Sequence, residues 1–133
     1  MPHDPKPHVL IIDDAITVRM FYRDVLEASG FAVDEAFNGF EALERMAEAS
    51  YDLVVVDVNM PRMDGYTFLG RLRSQAEGAG IPAIMISTEA EDIDRQRAFA
   101  AGANLYLVKP VTPDCLAHHA RLMAGQPMVG GRA

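Results

Sequence analysis

A single cysteine, Cys115, stands in the 133 residues, so no internal disulfide can form. Cations are scarce too. Twelve Lys and Arg face 19 Asp and Glu, a net charge of -7, whereas phosphate backbones demand clustered positive charge. No nucleic-acid partner is expected; proteins or cations are. No apolar run approaches the roughly 20 residues of a membrane-crossing helix, so no membrane partner is expected either. The start of the chain (Met1, Pro2, His3, Asp4, Pro5, Lys6) lacks the apolar core of a secretory signal, which points to a cytoplasmic protein. The length suits one compact domain with its own core and leaves no room for a second.

Short apolar runs alternate five times with longer amphipathic segments, the pattern of a parallel sheet covered by helices on both faces. The first strand is His8 to Ile12, which runs straight into Asp13 and Asp14. A helix follows from about Ala15 to Ser29, with Ile16, Phe21, Val25 and Leu26 on its apolar face and Gly30 as its stop. Ala32 to Ala36 is a weaker second strand. After the Asn38-Gly39 turn, Phe40, Leu43 and Met46 fall at helical spacing as far as about Glu48. The third strand, Leu53 to Val56, is apolar throughout and ends in Asp57. Pro61, Asp64 and Gly65 lead into a helix to about Gln75, Glu77 to Gly80 is a loop, and Ile81 to Ile86 is the fourth strand, with Pro82 where a missing N–H matters least. The fourth helix, about Asp92 to Ala101, stops at Gly102. Asn104 to Val108 is the fifth strand, and Pro113 opens a last helix to about Ala124. Residues 7–124 thus read as one α/β domain. Gly125 to Ala133, with three glycines, a proline and no periodicity, reads as a flexible C-terminal tail.

In open parallel sheets, ligands bind at the carboxyl ends of the strands, where strand order reverses. Asp13 and Asp14 follow the first strand, Asp57 ends the third, Ser87 and Thr88 follow the fourth and Lys109 the fifth. Taken singly, each has a plain explanation: Asp13-Asp14 as an N-cap pair, Asp57 as a turn former, Ser87-Thr88 as loop and capping residues, Lys109 as a solvated charge. Their convergence on one sheet edge is what those explanations leave out. Three carboxylates gathered there repel and raise one another's pKa unless a cation lies among them. A hard divalent ion such as Mg²⁺ suits oxygen ligands of this kind, and beside it the Asp57 carboxylate can act as a nucleophile toward phosphorus. Phosphoryl transfer asks for positioning and charge neutralisation, which a metal, a lysine and a hydroxyl can supply.

The strings LIIDDAITVRM, LVVVDVNMPRMDGYTF, IPAIMISTEA and AGANLYLVKP, in that order and spacing, resemble the CheY-like receiver family of two-component response regulators, from about His8 to Ala124. The resemblance implies a flavodoxin-like, doubly wound five-stranded parallel sheet of order 2-1-3-4-5 with five helices. It implies Asp57 as phosphoacceptor, Asp14, Asp57 and the Asn59 backbone carbonyl as Mg²⁺ ligands, and Asp13 as a ligand through water. Lys109 would pair with the phosphoryl oxygens, aimed by a cis bond before Pro110. Ser87 would be the switch hydroxyl, and Tyr106 the ring that turns inward when Ser87 moves, although an edge-strand tyrosine can equally be plain packing on the fourth helix.

A single-domain regulator is implied, phosphorylated by a sensor histidine kinase or a histidine phosphotransfer protein and catalysing only its own phosphorylation and dephosphorylation. Its output face would be about Asp92 to Ala124, where Ile93, Phe99, Tyr106, Cys115, Leu116, Leu122 and Met123 are expected to be mostly core. His118 and His119 point roughly 100° apart on a helix and read as a solvated pair, not a metal site. Asn59 and Glu89 flank the path of an attacking water and, by likeness to chemotaxis-type receivers, imply a short-lived phosphoaspartate. That favours a chemotaxis-type effector over a relay shuttle. A Mg²⁺-dependent phosphatase is a weaker alternative, since Asp57-Val58-Asn59 lacks the second acid of a DxD pair. A flavodoxin is another, disfavoured because Asp13-Asp14 would repel a phosphate.

Overall fold

A computed structural model describes residues 6–124; the tail expected from Gly125 onward lies outside the described residues. Five strands and five helices alternate: β1 (His8–Ile12), α1 (Ile16–Ala28), β2 (Ala32–Ala36), α2 (Gly39–Glu48), β3 (Leu53–Asp57), α3 (Gly65–Arg73), β4 (Ala83–Ser87), α4 (Asp92–Ala101), β5 (Leu105–Val108) and α5 (Pro113–Met123). The sheet is parallel and ordered β2-β1-β3-β4-β5, the doubly wound order that the resemblance implied.

Both β3 and β4 are buried along their whole length, as strands covered on two faces must be. Alternate side chains feed two cores. Val9, Ile11, Leu53, Val55, Ile84 and Ile86 pack with Tyr22, Leu26 and Leu116 of α1 and α5. Leu10, Ile12, Val54, Val56 and Met85 pack on the other face with Ala42, Phe68, Leu69, Leu72 and Ala98 of α2, α3 and α4. Three helices open on side-chain caps that satisfy otherwise unpaired N–H groups: Asn38 accepts from Glu41 N, Asp64 from Thr67 N and Thr112 from Cys115 N.

Several expectations need correction. The core face of α1 is carried by Tyr22 and Leu26, while Ile16 and Phe21 are exposed; four nearly apolar positions out of phase cannot all face one way on a helix. Phe40 is exposed as well, leaving Ala42, Leu43 and Met46 to seat α2. Of the seven residues named on the expected output face, only Tyr106 and Leu116 are buried; Ile93, Phe99 and Leu122 are exposed and Cys115 and Met123 half-buried. Strand β4 starts at Ala83, two residues late, and takes in Ser87. Ile81 N–H is used in a turn with Gly78, and Pro82 has none to offer the ladder.

Candidate functional site

The strand order reverses between β1 and β3, because β2 turns off to one side of β1 while β4 and β5 extend beyond β3. The carboxyl ends of these two strands form the crevice, and they carry Asp13, Asp14 and Asp57. One carboxylate oxygen from each acid lies within 4.8 Å of the others. Asp13 and Asp57 are buried, at 2% and 6% exposure, and Asp14 is open to solvent.

Asp13 does not cap α1, whose N-cap is Ala15. Its backbone N–H donates to the Ala36 carbonyl at 3.1 Å, and its Oδ1 accepts from Ala15 N–H at 2.9 Å. Asp13 Oδ2 is buried with no hydrogen-bond partner, a costly state for a carboxylate oxygen. Burial pushes the Asp13 carboxyl up, against the opposing pull of the Ala15 N–H and Lys109. Asp57 is pushed up to about 6, first by burial and then by Asp13, with Lys109 pulling the other way. Lys109, half-buried just past β5, places Nζ 3.2 Å from Asp57 Oδ1 and 4.0 Å from Asp13 Oδ2. The Lys109-Pro110 bond is cis.

Backbone geometry keeps Asp57 where it is. Gly65 N–H donates to Val58 O at 2.8 Å, and a Cβ on Gly65 would come within 2.5 Å of the Asp57 carbonyl oxygen. Only glycine fits so close to the end of β3.

Ser87 is fully buried at the end of β4, and its Oγ accepts from Glu89 N–H at 3.0 Å. Tyr106 is buried in β5 and its hydroxyl donates to the Glu89 carbonyl at 2.8 Å. The two switch candidates therefore grip the backbone of one residue from opposite sides, and the ring lies inward in this structure. Arg95 of α4 stands over that ring, 5.5 Å from its centroid. Asn59 and the Glu89 side chain are exposed in the loops that flank the crevice. His118 and His119 stand side by side in α5, with ring centroids 5.3 Å apart.

Two features escaped the sequence reading. Tyr22 of α1 approaches the acids closely enough that Asp13 and Asp57, after burial, raise its hydroxyl's pKa; the apolar face read from the sequence of this helix does not include it. Next to it a niche of about 570 Å³ runs from Phe21 and Tyr22 to Thr88, Lys109 and Pro110, and Ile16 and Met20 are exposed on the same helix at 62% and 55%. These apolar residues stand exposed at the rim of a polar crevice, a feature lost when Ile16 and Phe21 are assigned to the core.

The donor set fits a hard divalent cation: three carboxylates, one with an unpartnered buried oxygen, and no sulfur or imidazole. A buried carboxylate paired with a lysine at the crevice of a doubly wound sheet is an arrangement suited to taking up a phosphoryl group. The family model for the response regulator receiver domain matches residues 9–121, and the chain belongs to that family. It is 38% identical over 113 residues to the transcriptional regulatory protein ResD of Bacillus subtilis, covering 85% of this chain and 46% of that protein, so it spans less than half of that curated relative. The chemotaxis protein CheY4 of Vibrio cholerae superimposes with a TM-score of 0.86 at 34% identity, covering 90% of this chain and 99% of CheY4. The receiver domain of the Pseudomonas aeruginosa sensor histidine kinase PA1611, whose structure has a magnesium ion coordinated in its active-site cleft, gives a TM-score of 0.84 at 26% identity, with 91% and 99% covered. Among the described residues no helix is long and apolar enough to cross a membrane.

Proposed function

We propose that this receiver accepts a phosphoryl group on Asp57 from a phosphohistidine of a sensor kinase or phosphotransfer protein and signals through phosphorylation-dependent protein binding in the cytoplasm. The observation that carries the reading is the Asp57 carboxylate, buried beside two further acids and 3.2 Å from the Lys109 ammonium. An Asp57 oxygen forms the new bond to phosphorus as the bond to the donor nitrogen breaks, and the Lys109 ammonium pairs with the phosphoryl oxygens. Asp14, Asp57 and the Asn59 carbonyl would hold Mg²⁺ directly and Asp13 through water; the bound cation supplies neutralisation of the charge gathered on the phosphoryl oxygens. The exposed apolar rim of α1 gives the donor protein a landing surface within reach of Asp57.

Output follows from Ser87, Glu89 and Tyr106. A phosphoryl group adds roughly -1.5 to -2 charges and strong acceptor oxygens. Drawing the Ser87 hydroxyl toward them releases the Glu89 N–H, and the loop that Tyr106 also holds can then rearrange along with α4. The exposed Ile93 and Phe99 of α4 and Leu122 of α5 are apolar contacts for a target on the face from Asp92 to Ala124.

Asn59 and Glu89, with a likeness that covers 99% of CheY4, favour a chemotaxis-type effector with a short-lived phosphoaspartate. A relay shuttle is the alternative, and a phosphoryl group that outlasts ordinary signalling would select it. The direct test is intact mass after incubation with acetyl phosphate and Mg²⁺. A gain of one phosphoryl group, dependent on Mg²⁺ and absent in Asp57→Asn, is expected; no gain in the native chain would overturn the reading.

A further inference from the structure

Helix α1 opens without the usual aids. Its N-cap Ala15 has no side-chain oxygen to offer and its first turn has no acid. Arg19 stands in that turn, at the end of the helix dipole where a cation is disfavoured. The side chain is only 13% exposed, and a guanidinium so buried needs partners. Helix formation gives no reason for an arginine there, but its contacts do. Nη1 donates to the Asp13 backbone carbonyl at 2.6 Å and Nε to Glu35 Oε1 at 2.9 Å. Glu35, on the edge strand β2, accepts Arg23 Nη1 on its other oxygen at 2.7 Å. Arg23 Nε in turn reaches Glu27 at 3.0 Å. A polar chain thus runs from the surface of α1, by way of β2, to the backbone that joins Asp13 to Asp14.

We propose that Arg19 is a positioning residue for the cation-binding acids, holding the peptide plane between Asp13 and Asp14 and thereby the directions in which both carboxylates face. The proposal rests on the reading of these acids as Mg²⁺ ligands. A peptide unit is planar, so an anchored carbonyl leaves little freedom in the torsions on either side of it. Asp13 is also held through its N–H and Oδ1. Asp14 is exposed and depends on the plane for its aim. A ligand set ordered in advance loses less freedom when the cation arrives. The guanidinium charge opposes a cation, but Glu35, shared with Arg23, offsets much of it, so the ordering effect prevails.

The experiment is a Mg²⁺ titration of the full chain followed by backbone amide shifts, with melting curves to establish that each variant is folded. Arg19→Ala is expected to weaken Mg²⁺ binding by about tenfold or more, the usual cost of losing a group that orients a metal ligand. Arg19→Lys keeps the charge but loses the fork that reaches two partners at once, and should recover only part of the loss. Affinity equal to the native chain in Arg19→Ala overturns the proposal, and tighter binding would mean that the charge merely repels the cation. If Arg19→Ala does not fold, Arg19→Lys decides alone: weaker Mg²⁺ binding supports positioning and unchanged binding overturns it. A native chain that binds no Mg²⁺ overturns the reading of the acidic cluster together with this inference, whereas native binding with unaffected variants removes only Arg19.

Discussion

Asp57 is poised at the expense of stability. Its carboxyl is pushed up to about 6 from an ordinary 3.8, chiefly by burial, so the folded chain favours the protonated form more than the unfolded chain does. By linkage, the stability that this carboxyl contributes is fully present below about pH 4 and is lost as pH rises through about 6. In metal-free buffer at pH 7.5, Asp57→Asn should therefore exceed the native chain by ~2–3 kcal/mol in urea denaturation. The gap should close toward pH 4, and Mg²⁺ should narrow it at neutral pH by stabilising the native chain alone. Equal stabilities at neutral pH would show that Asp57 ionises without strain. Tyr106 gives a second residue-level expectation. Tyr106→Phe keeps the packing and loses the bond to the Glu89 carbonyl, a change of about 1 kcal/mol. Its distinguishing mark should be faster amide exchange in the loop between β4 and α4 than elsewhere in the sheet; unchanged exchange there would remove Tyr106 from the switch.

At the scale of elements, the junction of β3 and α3 is the least forgiving. Gly65 meets the backbone of Asp57 and Val58, which cannot turn aside as a side chain can. Gly65→Ala should cost about 1–3 kcal/mol by overpacking and slow phosphorylation by acetyl phosphate through displacement of Asp57. Full phosphorylation rate with a normal melting temperature would show that the loop yields. These junctions also mark where sequence reading works and where it stops. The edge strand β2, with Asp34 and Glu35 in it, gave a weaker signal, whereas the inner strands and the acids at their ends were legible because a strand buried on both faces is a continuous apolar run. The boundary of β4 was not, since Ile81 extends the apolar run although its N–H serves a turn. Ile16 and Phe21 were misplaced for a related reason: hydrophobicity alone does not separate a residue that faces the core from one that waits for a partner. Arg19 and Tyr22 owe their relation to the site to tertiary packing across α1 and β2, which no local pattern encodes.

The molecule as a whole is a central sheet between two cores, with β1, β3 and β4 inside and β2 and β5 at the edges. Protection against hydrogen exchange should follow that order, greatest in β3 and β4 and least in α4, where only Ala98 is buried. If α4 proved as protected as β3, it could not be the responsive element. The order of the sheet was carried by resemblance, because five apolar runs are compatible with several arrangements. The convergence of the acids and Lys109 on one edge needed only parallel strands, whose carboxyl ends all lie on the same side.

Lys109 comes just after the last strand of the sheet, while the acids it faces belong to the first and third. On the ribosome, where chains grow at about 5–20 residues per second, Asp13, Asp14 and Asp57 emerge seconds before the lysine that offsets their charge. A nascent chain thus carries all three acids long before it carries the lysine that faces them. On the proposed reading, competence to be phosphorylated arrives as a late step of synthesis, when β5 docks against β4, and a chain stalled short of that strand is expected not to take up the phosphoryl group.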